Sequence, residues 1–167
     1  PEVMKFTPLG DTAVIVELGQ KIDRATLRRV QWFARSLERD PPPGMTAVVP
    51  AFATVTVFYD PVRAVEAARS AVGLDEDPFA AVCASLRGRK AKADKQDRPA
   101  GRTVAIPVCY GGEFGPDLEE VAAHARLAPE EVIRLHSDGD YLVQALGFAP
   151  GFPYLGGLPE PLHMPRR

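Results

Sequence analysis

A basic stretch at residues 87–102 contains almost no apolar side chain, and this limits how the chain can fold. Such a stretch cannot contribute to a hydrophobic core, so we expect it to be solvated between two folded modules. It also lacks the interleaved aromatic residues and the glycine-rich loop that a nucleic-acid or phosphate site would contain. We therefore predict modules at residues 1–88 and 103–167, joined by a linker at residues 89–102.

The composition is that of a globular protein with a hydrophobic core. Hydrophobic residues make up 46% of the 167 residues and the formal net charge is −2, so no positive excess is present to bind nucleic acid or an anionic membrane. The longest apolar stretch, residues 45–58, is shorter than the roughly 20 residues of a membrane helix. Cys83 and Cys109 form neither a disulfide framework nor a paired metal-ligand spacing, so we expect a reducing, cytoplasmic location and no metal site.

Residues 1–88 are predicted to form an α+β sandwich with the element order ββαββαα. The predicted strands, rich in apolar and β-branched residues, lie at residues 4–7, 13–18, 46–51 and 54–59. A first helix is expected after Asp23, because Asp commonly caps a helix N-terminus and apolar residues then recur at helical spacing. The pairs Asp60-Pro61 and Asp77-Pro78 predict the starts of two further helices. We expect the helices to cover one face of the sheet.

Residues 103–167 are predicted to begin with a strand at residues 103–110, followed by two short helices and a second strand at residues 141–146. His124, His136 and His163 do not show the spacing of metal ligands. His136 is followed by Ser137 and Asp138, but three adjacent residues cannot arrange their side chains as a catalytic triad. We interpret them as a helix end and a turn.

The most unusual segment is residues 147–158, which combines Phe148, Phe152 and Tyr154 with closely spaced glycines and prolines. Glycine lets a backbone approach a ligand, proline holds a loop in place before binding, and aromatic rings supply flat apolar walls. The segment is therefore either a binding loop or a rigid connector, and the residue types alone do not separate the two. Arg166 and Arg167 follow it and are candidates for bidentate binding of a carboxylate or a phosphate.

Motifs along the whole chain carry a family resemblance. They are Pro-Leu-Gly-Asp at residues 8–11, Phe-Tyr-Asp-Pro at 58–61, Ile-Pro-Val-Cys-Tyr at 106–110, Phe-Gly-Pro-Asp-Leu at 114–118, Leu-His-Ser at 135–137 and the segment 147–167. Together they resemble the B subunit of bacterial 5-oxoprolinase, a family also named allophanate hydrolase subunit 1 and KipI, the inhibitor of a sporulation histidine kinase. The segment 147–167 is the most specific part of the resemblance.

The resemblance implies an N-terminal α/β domain followed by a cyclophilin-like β-barrel. Because the chain starts at Pro1 and ends just after a Gly/Pro-rich stretch, we expect it to be incomplete and the barrel to be truncated. The implied activity is the ATP-dependent opening of 5-oxoproline to glutamate together with the A and C subunits, of which the C subunit is the most direct partner. ATP is then used by the complex, and the resemblance leaves open whether this chain binds it.

For such a subunit, we expect the substrate- or subunit-facing pocket to contain Phe148, Gly151, Phe152, Tyr154 and Arg166, and we assign no catalytic residue. Two other functions stay open. The chain is alternatively a regulator that binds and inhibits a sensor histidine kinase through its N-terminal sandwich, or an allophanate- or urea-related carboxyltransferase module with a biotin-dependent partner. Analogy of fold does not choose among these functions.

Overall fold

The structure, a computed structural model, describes residues 4–72, 77–89 and 101–165. It divides into two compact units, Pro1–Pro99 and Ala100–Arg167. Each unit has its own cluster of buried apolar residues. Most of the predicted linker lies outside the described residues, as do Arg166 and Arg167. The limits that we predict for the modules and the linker stay predictions.

The first unit contains a four-stranded antiparallel sheet with the strand order β1-β2-β4-β3. The strands are β1 (Lys5–Pro8), β2 (Ala13–Glu17), β3 (Met45–Ala51) and β4 (Thr54–Tyr59). Val14 pairs with Val57 and Val16 pairs with Val55, and all four valines are completely buried. Because successive side chains of a strand point to opposite faces, these pairs place the valines together on one face of the sheet.

Three helices supply the other side of this core: α1 (Arg24–Arg39), α2 (Pro61–Val72) and α3 (Pro78–Arg87). The carboxylate of Asp23 accepts a hydrogen bond of 2.7 Å from the Thr26 backbone N–H and caps α1. The two helix starts predicted from the Asp-Pro pairs are observed as well. The carboxylates of Asp60 and Asp77 accept hydrogen bonds from backbone N–H groups in the first turns of α2 and α3. Side-chain oxygens at these positions satisfy donors that have no partner within the helix.

The core of the first unit lies between the valine face of the sheet and the helices. Phe33 and Leu37 of α1 and Leu86 of α3 are fully buried there. Truncating one of these side chains to alanine would cost about 2–5 kcal/mol of folding free energy, because it removes buried apolar area and leaves a cavity. The predicted order ββαββαα and the α+β class are therefore confirmed.

The second unit contains two helices and a two-stranded antiparallel sheet. Its elements are α4 (Leu118–Ala125), α5 (Pro129–Ser137), β5 (Leu142–Leu146) and β6 (Pro153–Gly156). Ala122 of α4 and Val132 of α5 are buried together with Leu162, which lies in a short 3-10 turn after β6. This apolar cluster joins the two helices to the segment that follows the sheet. The cyclophilin-like barrel implied by the resemblance stays a prediction.

The strand predicted at residues 103–110 is not observed, and this prediction is wrong. Val104, Ile106 and Val108 show the alternation of a strand, but they are 57%, 70% and 51% exposed. A strand is defined by hydrogen bonds to a neighbouring strand, and no described strand runs beside this segment. The alternation of apolar residues is therefore present in the sequence, but the segment pairs with no strand within the described residues.

Among the described residues, no helix combines the length and the apolar character needed to cross a membrane.

Candidate functional site

The hairpin between β5 and β6 ends in a tightly hydrogen-bonded loop, which we call the aromatic turn (residues 147–154). The N–H of Ala149 donates to the carbonyl of Gly147 at 2.8 Å across Phe148, which has a φ of 68°. This is the rarer, strained form of the γ-turn. The N–H of Phe152 then donates to the carbonyl of Ala149 at 3.0 Å, and Gly151 has a φ of 80°. This second turn is of type II, which needs a positive φ at its third residue and favours proline at its second.

Phe148 combines backbone strain with almost complete exposure. Its positive φ is unfavourable for a residue with a Cβ and costs about 1–3 kcal/mol. No burial offsets that cost, because the residue is 91% exposed. Strained residues that are held by the surrounding hydrogen bonds are concentrated at binding and catalytic sites. The turn therefore presents Phe148 to solvent at the cost of stability, as is typical of a binding surface.

The three aromatic rings of the turn form a ladder. Phe148 and Phe152 meet edge to face with ring centroids 5.7 Å apart, and Phe152 and Tyr154 do so at 5.3 Å. Edge-to-face pairs at these distances are attractive, because the positive edge of one ring meets the negative face of the next. The structure thus brings together three of the predicted site residues. Gly151 lies in the type II turn, and Arg166 lies outside the described residues. Their roles stay predictions.

A β-bulge in β5 places a polar side chain next to this turn. Val143 pairs with Leu155 and Ala145 pairs with Tyr154, so Gln144 is the extra residue between them. Bulges of this kind redirect a side chain and are frequent near functional sites. Gln144 is only 8% exposed, and its Oε1 has no hydrogen-bond partner among the described residues. Gln144 is not part of any motif that stands out in the sequence. The one feature that marks it is a polar side chain within an otherwise apolar strand.

Gln144 lies on the same face of the hairpin as Tyr154. A Cβ built on Gly156 would be 2.9 Å from Nε2 of Gln144, so the glutamine side chain lies where a side chain at residue 156 would be. Tyr154 and Gly156 are two residues apart on β6, and their side-chain directions therefore point to the same face. The opposite face carries the exposed side chains of Val143 and Leu155.

A second polar cluster in this unit joins Tyr110, His136 and Tyr141. The hydroxyl oxygen of Tyr110 is 2.6 Å from Nδ1 of His136, and the hydroxyl of Tyr141 donates to the His136 backbone carbonyl at 2.9 Å. Burial, with a smaller contribution from Tyr110, raises the pKa of the Tyr141 phenol. His136 lies in the last turn of α5, as predicted, but its contact with Tyr110 had no sequence signal because the residues are far apart in the chain.

Within the described ranges, no group of three or more His, Cys, Asp or Glu side chains is placed to bind a metal ion.

The fold and the aromatic turn belong to a known class of domain. A family model described as "Carboxyltransferase domain, subdomain C and D" matches residues 4–167, and the chain belongs to this family. It is 42% identical over 159 residues to the B subunit of 5-oxoprolinase from Bacillus subtilis (strain 168), covering 95% of this chain and 65% of that protein. It is 37% identical to the B subunit of 5-oxoprolinase from Escherichia coli O157:H7, covering 95% and 66%.

A solved structure is similar in fold over most of this chain. The crystal structure of TTHA0988 in space group P212121 is 34% identical, with a TM-score of 0.68, and the match covers 93% of this chain and 27% of that one. The predicted family resemblance is therefore confirmed. The chain spans about two thirds of the length of the curated relatives that it matches, 65% and 66%.

Proposed function

We propose that this chain is part of the B subunit of an ATP-dependent 5-oxoprolinase, which opens the lactam of 5-oxoproline to give glutamate. The observation that carries the proposal is the 42% identity to the 5-oxoprolinase B subunit of Bacillus subtilis across 95% of this chain. A protein named as the B subunit of an enzyme has at least one companion chain. In this proposal the companions are the A and C subunits, with the C subunit in direct contact, and the complex is cytoplasmic.

The chemical difficulty of the reaction explains why such an enzyme needs ATP. An amide bond is stabilised by resonance, so water does not readily attack the carbonyl carbon of a lactam. In the proposed reaction ATP supplies a phosphoryl group that activates the lactam oxygen and makes the carbon attackable by water. After this transfer, which releases ADP, one water adds to the carbon, the bond between that carbon and the ring nitrogen breaks, and the nitrogen takes up a proton to become the amine of glutamate. A second water then releases the phosphoryl group as inorganic phosphate and leaves the free carboxylate.

The proposed contribution of this chain is binding at the aromatic turn. Phe148, Phe152 and Tyr154 supply apolar ring surface, and the turn holds them in place through backbone hydrogen bonds, so little conformational entropy is lost when a ligand or a partner chain binds. Gly151 permits the type II turn that carries the ladder. Arg166 is proposed to bind the carboxylate of the substrate. We assign no catalytic residue to this chain.

The proposal is tested by reconstitution. The full-length protein is expressed with candidate A and C subunits, and ATP-dependent release of glutamate from 5-oxoproline is measured with and without it. We expect activity only when the protein is present, and we expect avidin to have no effect. Activity without the protein would overturn the proposal and favour the kinase regulator. Sensitivity to avidin, together with activity on urea or allophanate, would instead favour the biotin-dependent carboxyltransferase.

A further inference from the structure

We propose that the carboxamide of Gln144 recognises the substrate, and that its Oε1 accepts a hydrogen bond from the ring N–H of a small lactam. This inference rests on the proposed function, because it assigns a residue to the lactam of the same reaction. It also names a group outside the aromatic turn, whose three rings supply mainly apolar surface.

The side-chain amide of Gln144 is buried and incompletely hydrogen-bonded among the described residues. Gln144 is 8% exposed, and its Oε1 is buried without a hydrogen-bond partner in the part of the chain that the structure describes. Buried polar atoms in native proteins are nearly always hydrogen-bonded, because an unpaired one loses its contacts with water and gains nothing. A side-chain amide oxygen is an acceptor, so the group that would satisfy it is a donor. The lactam N–H is such a donor.

The backbone of both strands is adapted to this side chain. The bulge in β5 gives Gln144 no partner on β6, so it is the residue that the bulge redirects. On β6, Gly156 leaves the space that the carboxamide occupies, since a Cβ there would lie 2.9 Å from Nε2 and 3.1 Å from Cγ. Gly156 therefore leaves room for the carboxamide on this face of the hairpin.

The position of Gln144 relative to the aromatic ladder also supports the proposal. Its side chain lies on the face of the hairpin that carries Tyr154, whose ring meets that of Phe152. In the proposal the lactam lies on this face, with its ring beside Tyr154 and its N–H directed to the carboxamide. A small, mostly apolar site with one well-placed polar group is the usual form of a small-molecule site.

The test compares Gln144→Met with the wild-type protein, both as full-length chains with the candidate partner subunits. Methionine has a similar size but offers no strong acceptor. We expect the Kd and the KM for 5-oxoproline to rise about tenfold, with kcat within about twofold of wild type. The same substitution at Gln31, a half-buried residue of α1, is the matched control and should change neither constant.

Two further measurements separate recognition from a structural role. The lactone in which oxygen replaces the ring N–H should inhibit the wild type and Gln144→Met equally, because it offers no donor to Oε1. The Tm of the Gln144→Met chain should rise by about 2–4 °C, because a buried unpaired polar group is removed. A lower Tm, an unchanged Kd, or an equal loss of affinity for the lactone would overturn the assignment of Gln144.

The two proposals fail in different ways. An inactive wild-type complex overturns the proposed function, whereas the Gln144 assignment is judged from calorimetric binding of 5-oxoproline. Wild-type binding that weakens in Gln144→Met supports the assignment even if the complex is inactive. A wild-type protein that does not bind 5-oxoproline overturns the assignment.

Discussion

The hydroxyl oxygen of Tyr110 lies 2.6 Å from Nδ1 of His136, although the two residues are 26 positions apart in the chain. Their rings also meet edge to face, with centroids 5.7 Å apart. This contact joins the end of the segment before α4 to the last turn of α5. It is therefore a long-range connection in a unit whose buried apolar cluster is small.

The first prediction concerns this hydrogen bond. Tyr110→Phe keeps the ring contact but removes the hydroxyl, and we expect it to lower the free energy of unfolding by about 0.5–1.5 kcal/mol. The measurement is urea denaturation of the full chain, followed by far-ultraviolet circular dichroism. Cys109→Ser, at the exposed neighbouring residue, is the control and should leave the midpoint unchanged. Equal midpoints for Tyr110→Phe and wild type would contradict the prediction.

The second prediction separates the strain of Phe148 from its function. Glycine accepts a positive φ without a steric penalty but loses more conformational entropy on folding. Because the two effects oppose each other, Phe148→Gly should change the free energy of unfolding by less than about 1 kcal/mol. It should nevertheless lower kcat/KM of the reconstituted complex at least about tenfold, because it removes the exposed ring that is proposed to contact the substrate or a partner subunit. Stability is measured by denaturation and activity by glutamate release.

Phe52 offers a matched control for this substitution. It is also a phenylalanine with a positive φ, 52°, in the turn between β3 and β4 of the first unit. We expect Phe52→Gly to leave kcat/KM unchanged. Equal losses of activity in the two variants would show that the aromatic turn has no special role.

The third prediction concerns the close approach of Gly156 to Gln144. A Cβ at residue 156 would lie 2.9 Å from Nε2 of Gln144, so Gly156→Ala should cost about 1–3 kcal/mol of stability through overpacking. Gly147→Ala is the matched control, because its Cβ would lie 3.7 Å from the nearest atom, on Tyr154. We expect little or no loss there. Thermal denaturation of both variants is the measurement.

A double-mutant cycle checks the cause of that loss. If Gly156→Ala destabilises the chain by displacing the glutamine, then Gln144→Ala should remove most of the penalty when the two are combined. Additive losses would show that the cost comes from elsewhere.

The fourth prediction concerns the N-cap of α1. The hydrogen bond from the Thr26 backbone N–H holds the pKa of Asp23 below its usual value of 3.8. A carboxyl group with a lowered pKa in the folded state stabilises the fold above the pKa of the unfolded chain, and this contribution is lost as the pH falls through the folded-state pKa. Asp23→Asn keeps a good cap but does not titrate. We therefore expect its stability to fall less than that of the wild type between pH 5 and about pH 2.

Denaturation midpoints measured across this pH range test the prediction. Asp23→Ala, which has no cap at any pH, should be less stable than both proteins at pH 7. Parallel pH profiles for wild type and Asp23→Asn would contradict the assigned role of the carboxylate.

The fifth prediction concerns the two thiols. Cys109 is exposed, whereas Cys83 is buried in the first core, and burial raises the pKa of its thiol. The thiolate is the reactive form, so iodoacetamide should modify the folded chain once at neutral pH, at Cys109. Intact mass measurement checks this. Cys109→Ala should abolish the modification and Cys83→Ala should not. Modification of both thiols at similar rates would contradict the prediction, because it would show that the core of the first unit opens readily and exposes Cys83.

The candidate site was only partly predictable. The aromatic residues and turn-forming glycines of residues 147–154 are visible in the sequence, and the structure brings the three rings together. Strand β6, by contrast, lies in a segment that looks like a loop because it begins with Pro153 and ends with Gly156. It is a strand because it pairs with β5. Gln144 became a candidate only when that pairing showed it to be the bulged residue.

The helices and strands of the first unit follow from local signals in the sequence. Asp23, Asp60 and Asp77 cap helices through hydrogen bonds to residues two or three positions away, and the valines alternate within single strands. These signals are local, so they can be read before the chain folds. Three features depend instead on the tertiary structure: residues 103–110 pair with no described strand, Tyr110 meets His136, and Gln144 fills the space at Gly156. Each of these depends on which distant segments come together, and strand pairing and packing settle that only when the whole unit folds.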